Sequence, residues 1–114
     1  MDLQMEFLVR GARSDTTEAL REYATRRLDF AVRRFRHRVR RETIRLVDEN
    51  GPRRGVDTRC SIAAELVDGT QVFVEATAAI PFAAIAQAAA RLSEALRREH
   101  ARRAVRRPSH ARAG

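Results

Sequence analysis

Leu3, Met5, Phe7 and Val9 alternate with Gln4, Glu6 and Leu8 at the start of the chain. A period of two marks a half-buried strand, and Gly11 closes it. In SDTTEALREY, Asp15 is placed to cap a helix, with Glu18 three residues on completing a capping box. Leu20, Ala24, Leu28, Ala31 and Phe35 then recur at helical spacing, with Tyr23 and Val32 beside them. That pattern predicts a helix over about 16–36.

Val39, Ile44, Leu46 and Val47 fit a second strand over 39–47, although its first half is heavily charged. DENGPRRGVD, 48–57, reads as an exposed connection because Asn-Gly, Pro and a second Gly punctuate it. Cys60, Ile62, Ala64 and Leu66 alternate with Arg59, Ser61, Ala63 and Glu65, and Val72, Val74 and Ala76 alternate with Phe73 and Glu75. Between these two strands, Asp68-Gly69 signals a two-residue hairpin. Pro81 suits the first turn of a helix, where its missing N–H costs nothing. The stripe Phe82, Ile85, Ala89, Leu92 and Leu96 carries that helix from 81 to beyond 100. RRPSHARAG, after Val105, lacks apolar periodicity and is expected to be mobile.

The order β-α-β-β-β-α predicts an α+β fold: a four-stranded, mostly antiparallel sheet with both helices packed on one face. A right-handed crossover would set the first strand parallel to the second. The expected division is a single domain over 1–104 and a basic tail over 105–114. A chain of 114 residues suffices for one modest core without disulfide or metal. Cys60 is the single cysteine, which excludes an internal disulfide and suits a reducing compartment, so a cytoplasmic location is expected. No apolar run reaches the roughly 20 residues of a membrane span, and the N-terminus does not read as a secretory signal.

Catalytic chemistry finds no support. His37, His100 and His110 have no nucleophile or zinc spacing with Cys60, and Cys60 itself alternates with apolar strand positions as a small core residue does. The glycines at 11, 51, 55 and 69 are turn residues, not a phosphate loop. Nothing pairs Asp57, Glu65 and Glu75 into an acid–base couple. The expectation is no enzyme, no cofactor, no metal, no small-molecule substrate and no membrane partner.

Charge changes the picture. The net charge is +8, and all 23 basic residues are arginine. A biased base composition can explain arginine in place of lysine, but not the excess of positive charge, which points to a polyanion such as nucleic acid. Residues 33–41, RRFRHRVRR, hold six arginines and no acid. On a helical projection, Arg26 and Arg33 oppose the core stripe of the first helix, and Arg27 and Arg34 flank one edge. In the second helix Arg91, Arg98 and Arg102 share an outer face, with Arg97 to the side. Arg36, Arg38, Arg40 and Arg41 continue the charge past helix one. Dipole complementation at a helix end needs one or two such residues, not six. Glu22, Asp29, Glu94 and Glu99 can neutralise neighbours, yet acids are too few near 33–41 to cancel that segment. The candidate RNA-binding residues are Arg26, Arg27, Arg33, Arg34, Arg36, Arg38, Arg91, Arg98 and Arg102. Replacing Arg91, Arg98 and Arg102 with alanine is expected to weaken binding while leaving thermal stability nearly unchanged.

TEALREYATRRLDFAVRRF (17–35), GVDTRCSIAAELVDGTQVFVEATA (55–78) and FAAIAQAAARLSEALRREHAR (82–102) together resemble the first helix, the third and fourth strands and the second helix of one family. This is the ribosome hibernation promoting factor family, also called ribosome-associated inhibitor A or sigma-54 modulation protein, in a short form. The resemblance implies a stress-response translation inhibitor that binds the small ribosomal subunit. It would occupy the 16S rRNA channel used by mRNA and tRNA and block both. Carried over by position, Arg26, Arg27, Arg33 and Arg34 on helix one and Arg91, Arg98 and Arg102 on helix two would meet rRNA. The sequence departs from the family at Ile80, where an acid usually caps helix two, at Phe82 for tyrosine, and at Ala86 for an acid or amide. It leaves open whether ribosomes are paired or silenced singly. A general structured-RNA-binding module is the alternative reading of the same arginines.

Overall fold

The computed structural model describes residues 4–10, 14–48 and 57–113, with side chains described over 5–8, 18–48 and 57–105. The proposed cap at Asp15, the closure at Gly11 and most of the 48–57 connection lie outside the described residues or side chains. Four strands form one sheet in sequence order: β1 Gln4–Arg10, β2 Val39–Asp48, β3 Thr58–Leu66 and β4 Gln71–Ala78. β1 runs parallel to β2, and the other pairs are antiparallel. Helix α1 spans Ser14–Val32 and helix α2 spans Pro81–Ala113. The expected α+β order is therefore present.

Strand register explains the core. Ile44 pairs with Ile62 and Ile62 with Val74, while Leu46 pairs with Cys60 and Cys60 with Ala76. Each row points to the same face, where Ile44, Ile62 and Cys60 are fully buried. Leu20, Ala24, Leu28 and Val32 of α1, with Ile85, Ala88, Leu92 and Leu96 of α2, complete the cluster. The other face of the sheet stays open, carrying Phe73 and Arg45 in solvent. Tyr23 touches Phe82 and Phe35 touches His100, so residue number rises along both helices together and α1 and α2 run parallel. No helix is long and apolar enough to cross a membrane among the described residues.

Three details depart from the expected elements. First, the α-helix stops at Val32 and a 3₁₀ segment, Arg33–Arg38, follows; Phe35 at φ −120°, ψ 20° is not helical. Phe35 still packs on the core, so apolar spacing alone did not betray the break. A short 3₁₀ turn is a common way to leave a helix, and here Val39 N–H donates to the Arg36 carbonyl as β2 begins. Second, the β3–β4 loop holds three residues, not two. Gly69 N–H donates to the Leu66 carbonyl and Leu66 N–H donates to the Thr70 carbonyl, at 2.9 and 2.8 Å. Gly69 has φ +93°, the left-handed position that a type I turn with a following bulge assigns to glycine. Third, α2 continues to Ala113, past the last apolar-periodic residue. Its start carries no acid in the first turn; Ile80 offers only its carbonyl, which accepts from Ala84 N–H at 3.0 Å.

The charged half of β2 has a geometric cause. Pairing with β3 slips between Val39 and Arg41, so Val39 and Glu42, three residues apart, both point inward. Arg40 and Arg41 both face solvent. This bulge buries Glu42 completely, and neither carboxylate oxygen has a hydrogen-bond partner. Burial, with Asp29 nearby and against the pull of Arg36, pushes its pKa up to about 8, so the carboxyl is neutral at pH 7.

Candidate nucleic-acid interface

On α1 and the 3₁₀ turn after it, three of the candidate arginines lean on aromatic rings. The guanidiniums of Arg26 and Arg27 each lie 5.9 Å from the Tyr23 ring centre. Tyr23 in turn meets Phe82 edge-to-face at 5.1 Å, which pins it between the helices. Arg33 lies 5.2 Å from the centre of the Phe30 ring. Such cation–π contacts hold a guanidinium in place without neutralising it. Among the described residues, no carboxylate lies within 4.0 Å of Arg26, Arg27, Arg33 or Arg34. Arg36 has only a long pair, 3.9 Å to Asp29, with both side chains about half exposed. Arg38 is half-buried beside Phe35, Leu66, Leu96 and Glu99, so it braces the end of the core more than it faces outward.

On α2 the arginines sit on oxygens. Arg91 donates to the Glu75 backbone carbonyl on β4, the sheet edge. Arg98 lies 3.5 Å from Glu94, and Arg102 pairs with Glu99. Arg97 forms two bonds to the same Glu94 carboxylate, at 2.6 and 3.3 Å. The Arg97 hydrogen bond is the main reason the Glu94 carboxyl titrates below its usual range, with the positive charges of Arg97 and Arg98 adding to it. Arg103 pairs with Asp68 and ties the helix to the β3–β4 turn. Thr70 N–H donates to that same Asp68 carboxylate at 3.0 Å. That hydrogen bond, more than the nearby Arg103 charge, keeps the Asp68 carboxyl below its usual range.

Of the nine candidate arginines, two line a groove between the helices, three share a flank of α2, and the rest lie along α1 and the 3₁₀ turn. Arg33 and Arg34 converge with Arg97 around a groove of about 200 Å³ between the helices, with Ser93 on its α2 side and Phe30 and Phe35 as apolar lining. Arg26 and Arg27 lie one to two turns back along α1. Arg91, Arg98 and Arg102, seven and eleven residues apart, share the flank of α2 that Arg91 joins to β4. Phe30 and Ser93 are the groove residues that sequence spacing did not single out, and that spacing sets Arg97 only to the side of the α2 face. The parallel run of the helices turns Arg97 toward α1, and Phe30 stands off the core stripe of α1, where it is 66% exposed. Among the described residues, no group of three or more His, Cys, Asp or Glu side chains could hold a metal ion.

The fold is that of two solved structures. One is the crystal structure of the Thermus thermophilus Protein Y N-terminal domain, at TM-score 0.67 and 24% identity, covering 83% of this chain and 97% of that one. The other is a ribosomal subunit interface protein from Coxiella burnetii, at TM-score 0.68 and 15% identity, covering 86% and 98%. At these identities the likeness speaks for the fold alone. No curated protein matches the sequence significantly. The sequence pattern described as sigma 54 modulation protein / S30EA ribosomal protein matches residues 7–104, and the chain belongs to that family.

Proposed function

We propose that this protein is a ribosome hibernation factor that binds 16S rRNA in the decoding channel of the small subunit and sterically blocks mRNA and tRNA. The observation that carries the reading is the set of guanidiniums without a carboxylate partner among the described residues, Arg26 and the half-buried Arg27 on α1 with the exposed Arg33 and Arg34 on the 3₁₀ turn after it, beside the α2 groove. Arginine presents a planar fork that matches phosphate oxygens two at a time. Crowded like charges repel modestly in water and are relieved when phosphates arrive and release their counterions. Family membership supports the ribosome as the source of those phosphates. A cytoplasmic location follows from the same reading, and the domain over 1–104 would be the binding unit.

Sedimentation with purified small subunits at low and high salt, beside a translation assay, tests it. Expected are co-sedimentation at low salt, its loss at high salt, and inhibition of translation in proportion to occupancy. Equal affinity for naked duplex RNA at matched salt would replace this reading with a general RNA-binding module.

A further inference from the structure

We propose that the groove beside Phe30 is a subsite for one unpaired nucleotide: its base stacks on the Phe30 ring, and its phosphates sit among Arg33, Arg34 and Arg97. This rests on the RNA reading above and names what part of the RNA the groove takes. Phe30, off the core stripe of α1, is 66% exposed, while the large apolar side chains of that stripe are buried or half-buried. Its ring is already held on a guanidinium by Arg33, at 5.2 Å. A planar ring bordered by guanidiniums offers a base its π-face and a phosphate its charge at one spot. The groove is open to solvent at about 200 Å³, and Ser93 adds a hydroxyl able to donate or accept. Its charge favours a polyanion: of the three arginines lining it, only Arg97 has a carboxylate partner among the described residues. A duplex keeps its bases stacked inside, so only a single-stranded or flipped nucleotide could use the ring.

The chain contains no tryptophan, so Phe30→Trp installs a lone indole, excitable apart from Tyr23, at an exposed site. The probes are a short adenine oligoribonucleotide and an abasic oligomer with the same phosphates. The expected result is that the adenine oligomer quenches the new indole and the abasic oligomer does not. Phe30→Ala should weaken adenine-oligomer binding about 5- to 100-fold, leave abasic binding unchanged and leave the salt slope as it is. Arg33→Ala or Arg34→Ala should instead lower the single-strand salt slope by about 0.7 each, for both oligomers. Equal quenching by both oligomers, or unchanged adenine-oligomer affinity in Phe30→Ala, overturns the stacking subsite while small-subunit binding by the wild type still upholds the RNA reading. Failure of the wild type to bind small subunits overturns both. Binding of a polyglutamate peptide with the same dependence on Phe30 would assign the groove to an acidic protein and overturn the nucleotide.

Discussion

The two helices carry the same side chain in opposite circumstances. On α1 and the 3₁₀ turn that follows it, Arg26, Arg27 and Arg33 rest against rings and keep their full charge. On α2, Arg91, Arg98 and Arg102 each lie on an oxygen of the protein itself. A phosphate meeting α1 adds a partner; a phosphate meeting α2 has to replace one or share it. Exposed ion pairs are worth only about 0–1 kcal/mol, so the α2 pairs weaken the flank without silencing it. Counting arginines on a face therefore overstates the grip of α2 and understates that of the groove.

The sharpest break of that comparison is the triple change Arg26→Ala, Arg33→Ala, Arg34→Ala, which removes only arginines without a carboxylate partner among the described residues. Three contacts at about 1 kcal/mol each predict small-subunit affinity down on the order of 100-fold, read by sedimentation. An effect no larger than that of the α2 triple would erase the distinction.

Glu42 supplies a change of comparable size in stability rather than binding. Its carboxyl binds a proton up to about pH 8 in the folded state, against 4.5 ordinarily. Between those values the folded chain holds the extra proton, so stability falls as pH rises from about 5 to 8 and levels above. Glu42→Gln should remove that slope and stabilise the protein at pH 9 by a few kcal/mol, measured by denaturant melts across pH. A wild type equally stable at pH 5 and 9 would refute it.

Smaller is the expected effect of the α2 triple, Arg91→Ala, Arg98→Ala, Arg102→Ala. Affinity should drop about tenfold, because each lost phosphate contact is offset by a released carboxylate or carbonyl. The smallest effect separates two members of that flank. Glu99 is 8% exposed, so Arg102→Ala strands its carboxylate, whereas Arg98→Ala leaves Glu94 with Arg97. Arg102→Ala should cost about 1 kcal/mol of stability, discounted for the exposure of the arginine, and Arg98→Ala almost nothing. Glu99→Gln in the Arg102→Ala background should restore the melting temperature. Of the three flank arginines, Arg102 is thus the one expected to carry a measurable share of stability.

Apolar periodicity made most of the fold legible. The alternation at Cys60–Leu66 and Val72–Ala76 set both strands and their inner faces, and the stripe from Leu20 to Leu28 set the buried side of α1. Where the chain changes its period the sequence misleads. Phe35 continues the helical spacing yet belongs to a 3₁₀ turn, since one turn of either helix brings similar residues to the core. Glu42 looks like another surface charge, because the bulge that turns it inward is set by pairing with β3. The candidate site was legible as a composition of arginines, not as partners. Which guanidinium meets a ring and which a carboxylate depends on the parallel run of two helices joined through three strands.

Cys60 on the inner strand β3 gives the molecule a built-in gauge of its own opening. The lone thiol is fully buried, and burial pushes its pKa up to about 12. A thiol-specific reagent reaches it only when the helices lift from the sheet, so the labelling rate in excess reagent follows the rare open state. Bound RNA that clamps both helices should slow that labelling, while RNA gripping a single helix should leave it unchanged.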